Sequence, residues 1–455
     1  MFQDASHLLA HNPPARHFGV SVADVGGVGR FAFVVAGYDG PTRVLAWTGG
    51  QFRDAAPPAL TAADRRGLAV AAGDLDGDGV EELYVLTGDP SADRLLKRHP
   101  DGTWEDLFNR PENRPVRNLA AGRGVAALDR RGVGRYGFFV GNDGRPARLY
   151  ELGPDGPLAD LAPPLDLARA GGGRGVLAAP LFCDATDIYC TTEGGANLLF
   201  RNRGNGTFGE CAAANKLADA DEHGRGAVAL DAGGGAVGLC WGNWDGPHRL
   251  MAPRAGGGWA DRATPAFAFP SAGRAVVVAD FDNDGYDELF FNNHGEPNRL
   301  FRLGPDAAES PALARLDAGD ATEPTGFGTA AAVADLDGDG VLELLIAHGD
   351  AAPQPLGLYR ARGAAANGWL RIRPLTRFGA PARGAVVRAE YGGRVRAKVI
   401  DGGSGYLCQM EPAAHFGLGR ERRVDRVTVT WPDGASLTLD DPDVNCTYTV
   451  PYPGG

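Results

Sequence analysis

One phrase recurs along most of the chain, and this repeat limits the possible folds more than any other feature. Each copy has a Gly-containing apolar stretch, an acidic or turn position, a Gly-rich loop and a second apolar stretch. The anchor positions lie 49 to 55 residues apart, at Asp24, Asp74, Asp129, Pro180, Asp231, Asp280 and Asp335. A period of this length is typical of β-propellers and of solenoids built from helix pairs.

Glycine and proline decide between these two architectures. The 455 residues include 68 Gly and 32 Pro, spread along the chain, and both residue types interrupt helices and mark turns. Apolar runs rich in aromatic and β-branched residues, such as residues 31–35 and 289–291, are typical of strands. The repeats therefore predict an all-β fold, a seven-bladed β-propeller with one four-stranded sheet per blade.

The last copy lacks its fourth strand-like piece. Residues 2–5 at the other end of the chain have the aromatic-x-Asp pattern of the fourth pieces in other copies, such as residues 51–54. We therefore expect the N-terminal strand to complete the last blade, because ring closure removes the open sheet edges. The predicted propeller domain spans residues 1–365.

Three copies carry the same acidic loop, with carboxylates at loop positions 1, 3, 5 and 9 and glycine at position 6. Several carboxylates held together repel one another unless a cation neutralises them. Calcium suits such a cluster, because it takes about six to eight oxygen ligands in flexible geometry. The sequence thus predicts about three Ca²⁺ sites. The expected ligands are Asp74, Asp76, Asp78, Val80 and Glu82; Asp280, Asp282, Asp284, Tyr286 and Glu288; Asp335, Asp337, Asp339, Val341 and Glu343, where Val80, Tyr286 and Val341 contribute the position-7 carbonyl.

Three alternatives to structural Ca²⁺ sites are less favoured. An EF-hand loop requires Glu at position 12, where these loops have Val85, Phe291 and Ile346 inside apolar strands. Acidic turns without metal would not explain three copies of one spacing. A catalytic Ca²⁺ would need further reactive groups beside it, and the sequence offers no motif for them.

The other copies have lost these ligands, and we expect no metal in them. Asp24 is followed by glycine and valine, Asp129 by two arginines, and Asp231 by three glycines, while Pro180 replaces the Asp of the fourth copy. In the third copy, Arg131 is expected to supply the missing positive charge within its own loop.

The C-terminal residues 366–455 form a second predicted unit. Alternation of apolar and polar residues indicates strands at residues 370–373, 385–391, 394–400 and 424–430, and Gly392-Gly393 marks a hairpin. The phrases GSGYL, HFGLG and WPDG stand in this segment. We expect a small β domain with sandwich or jelly-roll packing.

These motifs resemble two known families. The acidic loops and their repeats resemble the FG-GAP, or VCBS, repeats of integrin α-type propellers, and the C-terminal phrases resemble the ASPIC/UnbV domain. The first resemblance implies Ca²⁺ at the three intact loops and protein partners on the propeller. Since residues 366–455 contain no Cys-rich EGF-like module, we expect the chain to resemble the shorter family members more closely.

Charge and hydropathy indicate which partners and which cellular compartment suit the chain. The formal net charge of −12 disfavours nucleic acid, and no apolar run reaches the ~20 residues of a membrane span. The family resemblance implies an extracellular protein, whereas the lack of a secretory signal in residues 1–10 fits a cytoplasmic one. The six cysteines leave the disulfide pairing open, with Cys183–Cys190 and Cys190–Cys240 as possibilities.

The sequence favours a non-enzymatic binding protein that recognises a protein or matrix ligand. A carbohydrate-binding or carbohydrate-active propeller is the first alternative, with Trp241 and Trp244 as candidate sugar platforms. The second is an assembly factor that docks a partner through its C-terminal domain. His415 is expected to be structural, donating to a loop carbonyl, and Asp401 and Glu411 are weaker candidates for a polar ligand. Asn205 and Asn445 stand in N-glycosylation triplets.

Overall fold

The computed structural model describes residues 1–455 except 62–65, 89–90, 154–155, 172, 308–309 and 455. Strands dominate these residues, as the sequence predicts, and the helices are single turns. The one α-helix among them is Pro265–Ala268, and the 3₁₀ helices are Ser6–Leu8, Leu107–Asn109, Arg114–Val116, Ala213–Asn215, Asp320–Thr322 and Ala364–Ala366. Within the described part of the chain, no helix is long and apolar enough to cross a membrane.

The first four repeats each form one antiparallel sheet, and we number the sheets in chain order. Their strands pair consecutively, so each sheet is a meander. Sheet 1 contains His17–Ala23, Ala32–Gly37, Arg43–Thr48 and Gln51–Asp54; sheet 2 contains Gly67–Gly73, Glu82–Thr87, Arg94–Arg98 and Trp104–Asp106; sheet 3 contains Gly122–Leu128, Gly137–Asn142, Arg148–Leu152 and Leu158–Asp160; sheet 4 contains Gly175–Ala179, Asp187–Thr191, Leu198–Asn202 and Phe208–Glu210.

The next repeats continue this pattern, with a parallel contact near Trp244 and Ser271 that joins sheets 5 and 6. Sheet 5 contains Gly224–Asp231, Val237–Gly246, Arg249–Pro253 and Trp259–Asp261; sheet 6 contains Ser271–Ala279, Glu288–Asn293, Arg299–Ala307 and Ser310–Leu316; sheet 7 contains Gly328–Ala334, Glu343–His348 and Gly357–Ala361. Phe2–Asp4 is the fourth strand of sheet 7 and pairs with Gly357–Ala361. The ring of Phe2 packs edge-on against Phe281 at 4.9 Å, so the N-terminus also contacts sheet 6.

Residue size explains how the sheets are arranged. The first strands are rich in small buried residues such as Ala71, Ala127 and Ala331, and they contact one another from sheet to sheet around a common axis, including sheet 7 against sheet 1. Larger side chains lie farther out, where Tyr84 and Tyr150 of adjacent sheets stack at 6.0 Å. Small residues at the axis and large ones outside are what a β-propeller requires.

The C-terminal residues form two further sheets whose apolar faces share one core. The sandwich packing expected from the sequence is therefore present. One sheet contains, in spatial order, Arg394–Val399, Val386–Tyr391, Arg426–Thr430 and Ser436–Asp440; the other contains Ala414–Gly419, Gly368–Pro374 and Thr447–Val450, the last pair being parallel.

Residues 400–411 leave this sandwich and enter the centre of the propeller, and we call them the central plug. Their backbone bonds to first strands of several sheets: Ala127 N–H donates to the Gly402 carbonyl at 2.7 Å, and Ala227 N–H to the Gly405 carbonyl at 2.9 Å. The short strand Cys408–Gln409 pairs in parallel with sheet 1. The C-terminal domain is therefore built into the propeller and is not merely appended to it.

The central plug corrects one expectation about ligand binding. Glu411, at one end of the plug, is buried rather than presented to solvent, and Asp401, near the other end, is half-buried. Glu411 forms ion pairs with Arg371 and with Arg373, the latter at 2.8 Å, and accepts the Asp335 N–H at 3.0 Å. Internal partners thus satisfy the carboxylate that was a candidate for binding a polar ligand.

Candidate metal centres

The three acidic loops each bring carboxylates to one point. Ligand oxygens of three side chains lie within 4.8 Å of one another in each group. The groups are Asp74, Asp76 and Asp78; Asp280, Asp282 and Glu288; Asp335, Asp337 and Asp339. All lie between the first and second strands of sheets 2, 6 and 7, on the side of the propeller that the C-terminal domain covers.

The aspartate at position 1 shapes each loop. Asp74 accepts the backbone N–H groups of Gly77 at 2.7 Å and Gly79 at 3.1 Å, and Asp335 accepts those of Gly338 and Gly340 in the same way. The loop must turn sharply to present these donors, and glycine at position 6 permits this turn. Gly79 accordingly has a φ of 88°.

The glutamate at position 9 closes each loop with one of its two oxygens. It accepts the backbone N–H of position 2, as in Leu75 to Glu82 at 2.7 Å and Phe281 to Glu288 at 3.0 Å. Its other oxygen faces the neighbouring carboxylates. In Glu288 and Glu343 that oxygen, Oε1, is buried and has no hydrogen-bond partner among the described residues.

Other carboxylate oxygens of the loops are also left without a partner. Asp280 Oδ1 and Asp76 Oδ1 are buried and accept no hydrogen bond from the described residues. A buried anionic oxygen without a donor is costly, so these atoms are available to bind a cation. The donor set is entirely oxygen, which fits a hard divalent ion such as Ca²⁺.

Burial raises the pKa values of carboxyl groups in these loops. Burial, with the charge of Asp76 next, raises the pKa of Glu82 to about 8. Burial also raises the pKa of Asp74 to about 6 and, with Asp280 nearby, raises that of Glu288 well above its ordinary value. In the loops of sheets 2 and 6, burial and neighbouring carboxylates thus disfavour the ionised form of these acids when no cation is bound.

A basic side chain from the third strand of the same sheet reaches each loop, a feature that the sequence analysis missed. Lys97 Nζ lies 2.5 Å from Asp76 and 2.6 Å from Asp78. Arg302 contacts Asp284 at 2.9 Å in sheet 6, and Arg360 contacts Asp337 at 3.4 Å in sheet 7.

A second set of basic residues comes from the C-terminal domain and was also missed. Arg383 pairs with Glu81 at 2.8 Å, and Lys398 pairs with Asp287; both acids occupy loop position 8. In sheet 7, Arg371 instead contacts Asp335 at 2.8 Å. The acids at position 8 were visible in the sequence, but their partners lie more than a hundred residues away.

His415 contributes to the sheet 6 loop as a structural residue. Its Nε2 lies 2.6 Å from Oδ1 of Asn283, which adopts a φ of 59°. Burial, and then the charges of Arg371 and Lys398, lower the pKa of His415 well below its ordinary value, so the ring is neutral. The structural role was expected, but the partner is a side-chain amide rather than a loop carbonyl.

One of the carbonyls at position 7 has a described polar neighbour. The Val341 carbonyl accepts Arg360 Nη2 at 3.4 Å, which places this oxygen beside the carboxylates. Calcium ligation by the carbonyls of Val80, Tyr286 and Val341 stays a prediction.

The loops without acidic clusters differ from expectation in one place. In sheet 3 the compensating arginine is Arg130 and not Arg131, which is exposed. Arg130 makes a bidentate pair with Glu151 on the third strand, at 2.6 and 3.0 Å. Arg131 was the wrong choice because its side chain points to solvent while its backbone N–H binds Asp129. In sheet 5, Arg396 of the C-terminal domain pairs with Asp231 at 3.1 Å.

Other residues singled out in the sequence have structural surroundings. Trp241 is 1% exposed, and its indole donates to Asp219 at 3.0 Å, which rules it out as a sugar platform. Trp244 is half-buried with the guanidiniums of Arg225 and Arg274 at 5.3 and 5.0 Å from its ring centre. Asn445 accepts the Trp369 N–H at 3.0 Å. All six cysteines are free thiols.

Comparison with known proteins agrees with this architecture. The FG-GAP-like repeat family matches residues 24–85, and the ASPIC and UnbV family matches residues 376–455. A lectin from Burkholderia pseudomallei has a similar structure, with a TM-score of 0.52 at 15% identity over 77% of this chain and 99% of that one. The fold and the loops thus define an FG-GAP repeat β-propeller with an ASPIC/UnbV domain, as the resemblance indicated.

Relatives that match almost the whole chain identify the family more specifically. Cartilage acidic protein 1 of Mus musculus is 41% identical over 97% of this chain and 75% of its own length. The Homo sapiens protein of that name is 41% identical over 97% of this chain and 73% of its length. The chain belongs to the cartilage acidic protein 1 family.

Proposed function

We propose that the protein is a non-catalytic, Ca²⁺-binding adhesion or recognition protein whose three ions hold the propeller loops beneath the C-terminal domain. The observation that carries this proposal is a set of buried loop oxygens that accept no hydrogen bond from the described residues: Asp76 Oδ1, Asp280 Oδ1, Glu288 Oε1 and Glu343 Oε1. Ion binding to the folded state alone would stabilise it by mass action.

The arrangement around the loops supports a structural rather than a catalytic ion. A catalytic site needs an acid or base that can reach substrate beside the metal. Here the neighbouring C-terminal groups are engaged: Arg371 binds Asp335, Arg383 binds Glu81, and His415 is neutral and binds Asn283. The relatives named cartilage acidic protein 1 carry no enzyme name, which agrees with this proposal.

The same arrangement limits where a partner can bind. The C-terminal domain covers the acidic loops, and the central plug fills the axis of the propeller. A protein or matrix ligand would therefore meet the opposite face, the outer strands or the outside of the sandwich. The name of the relatives refers to cartilage, and we propose an extracellular setting for this chain as well.

A docking role for the C-terminal domain needs a test other than truncation. Removing residues 366–455 would also remove the central plug and expose Ala127, Ala178 and Ala227. Substitutions on the exposed strand Ser436–Asp440 leave the plug intact. Partner capture that survives them would place the recognition surface elsewhere.

Metal titration of the full chain tests the central proposal. We expect about three Ca²⁺ ions per chain by calorimetry, and one fewer in each of Asp76→Ala, Asp282→Ala and Asp337→Ala. Asp245→Ala, an exposed aspartate outside the acidic loops, is the matched control and should keep full stoichiometry. A wild-type chain that binds no Ca²⁺ at millimolar concentration, or a melting curve unchanged by chelation, would overturn the proposal.

A further inference from the structure

The basic residue on the third strand occupies one register position in all three acidic sheets. Glu288 pairs directly with Arg302, and Glu343 with Arg360. In sheet 2, Leu83 pairs with Leu96, which places Lys97 opposite Glu82. A cation therefore stands across from the position-9 glutamate each time, but the three side chains enter their loops to different depths.

Lys97 enters farthest. Its ammonium lies 2.5 Å from Asp76, 2.6 Å from Asp78 and 3.0 Å from Glu82, so it stands at the point where the carboxylates converge. Calcium–oxygen distances are about 2.3–2.6 Å. An ion bound by these three side chains would need the space that the ammonium fills, so the two cations exclude each other.

Arg360 occupies its loop only partly. Nη1 and Nε lie 3.4 Å from Asp337 and from Glu343, and Nη2 also pairs with Asp339. A planar guanidinium spreads its charge over the rim of the cluster. Glu343 Oε1 consequently keeps no hydrogen-bond partner among the described residues.

Arg302 leaves its loop most open. Its Nη1 contacts Asp284 at 2.9 Å, at the outer end of the loop. Asp280 Oδ1 and Glu288 Oε1, deeper in the cluster, accept no hydrogen bond from the described part of the chain. Of the three loops, this one receives the least compensation from the cation on its own third strand.

We propose that the third-strand cation is a built-in competitor of Ca²⁺ that ranks the three sites, with sheet 6 binding most tightly, sheet 7 next and sheet 2 most weakly. This inference rests on the proposed Ca²⁺ binding. In sheet 2 the ammonium holds the loop when no ion is present, and Ca²⁺ must displace it. Lys97 is thus an affinity-determining residue that never contacts the ion.

The test uses the full chain with Asp282→Ala and Asp337→Ala, which leaves sheet 2 as the intact loop, and compares Lys97 with Lys97→Met by calorimetry at low salt. We expect about tenfold tighter Ca²⁺ binding in Lys97→Met, equivalent to about 1.4 kcal/mol, because the ion no longer has to displace an ammonium from the site. Lys97→Arg keeps the charge and should show no such gain.

Thermal melting in chelator and in Ca²⁺ is a second measurement, because the effect of Lys97→Met should differ between the two conditions. In chelator, Lys97→Met should melt below the wild type, because the loop carboxylates lose their counter-ion. In millimolar Ca²⁺ this deficit should vanish. Arg130→Met is the control: its guanidinium pairs with Glu151 in sheet 3, whose loop has no acidic cluster, so its melting deficit should be equal with and without Ca²⁺.

The outcomes separate the two proposals. If the unmodified chain binds no Ca²⁺, the proposed function fails first. If it binds Ca²⁺ but Lys97→Met neither tightens the sheet 2 site nor enlarges the Ca²⁺-induced melting shift, the ranking by third-strand cations is wrong. A first binding step that survives Asp282→Ala and disappears in Asp76→Ala would also overturn it.

Discussion

Sheets 2 and 3 are neighbours in the propeller, and their first loops begin in the same way. Asp74 and Asp129 are both buried, both accept backbone N–H groups of their own loop, and burial raises the pKa of each to about 6. The position-1 aspartate is therefore a structural cap in both sheets. Its presence alone does not distinguish a metal loop from another loop.

The two sheets differ in the sign of the charges around that cap. Sheet 2 has acids at the later loop positions and Lys97 on the third strand. Sheet 3 has Arg130 in the loop and Glu151 on the third strand, at the register position that corresponds to Lys97. A reversed ion pair thus neutralises sheet 3 without an ion, whereas sheet 2 has an excess of carboxylates.

The central plug also contacts the two sheets differently. In sheet 2 the Gln409 side chain bridges to the Ala72 N–H at 2.8 Å and its carbonyl at 3.0 Å. In sheet 3 the backbone of Gly402 accepts the Ala127 N–H directly. The backbone contact leaves no room for a side chain, because a Cβ on Gly402 would lie 1.8 Å from the Ala127 carbonyl oxygen.

Gly402→Ala should have the largest effect of the changes considered, a loss of about 4 kcal/mol or failure to fold, because neither backbone can yield without breaking the plug contact. The midpoint of urea unfolding and the soluble yield measure this. Gly256→Ala is the control, since a Cβ there meets no atom within 4 Å. Equal stability of the two variants would show that the plug contact is dispensable.

Asp74→Ala and Asp129→Ala should each cost about 3 kcal/mol, because each leaves several partly buried N–H groups of the loop without their acceptor. The two variants should differ in how much calcium stabilises them. Asp129→Ala should keep the full Ca²⁺-induced rise in stability, and Asp74→Ala should lose the sheet 2 share. Urea unfolding in chelator and in Ca²⁺ separates the two effects. The same calcium response in both variants would remove the distinction between the sheets.

Much of the fold was predictable because local signals agree with it. The spacing of Asp74, Asp280 and Asp335 marks the repeats, and Gly-rich loops between apolar runs mark the hairpins. The acidic clusters were predictable for the same reason: their members lie within nine consecutive residues, so loop geometry alone brings them together. Four sandwich strands followed from alternation between apolar and polar residues, whereas Ala414–Gly419, Ser436–Asp440 and Thr447–Val450 were not predicted.

The basic residues that pair with the loop acids were not predictable from the sequence, because they are distant from these acids in the sequence or stand at variable spacings from them. Lys97 follows Glu82 by 15 residues, and Arg360 follows Glu343 by 17, since the intervening turns differ in length. Arg383 meets Glu81 across 302 residues of sequence. The central plug was missed because residues 400–411 resemble an ordinary Gly-rich loop, and only the propeller axis gives them partners.

The pH dependence of stability should separate the two loops in the absence of calcium. The pKa of Glu82 is raised from 4.5 to about 8, so the folded state keeps a proton that the unfolded state releases. Stability is then present below the unfolded pKa and is lost as pH rises toward 8, by about 1.4 kcal/mol per pH unit for each such proton. Asp129, whose pKa is raised to about 6, loses its proton in the folded state near pH 6, so its contribution to the pH dependence ends there.

Unfolding in chelator between pH 6 and 8 measures this slope. Glu82→Gln should reduce it, and Asp129→Asn should leave it unchanged in that window. Calcium should flatten the slope, because the bound ion requires ionised ligands and competes with protons. A slope that is insensitive to Glu82→Gln would contradict the assignment of this proton to the sheet 2 loop.

The smallest effect is expected for the reversed ion pair of sheet 3. Glu151→Gln removes the charge that pairs with Arg130, but the Gln amide oxygen can still accept a hydrogen bond from the guanidinium, so we expect a loss of about 1 kcal/mol. The loss should shrink at high salt, because screening weakens the pair, and it should be the same in chelator and in calcium. Urea unfolding at two salt concentrations, in chelator and in calcium, measures this loss. A calcium-dependent loss would mean that the sheet 3 loop senses an ion, and the contrast between a paired loop and a metal loop would then fail.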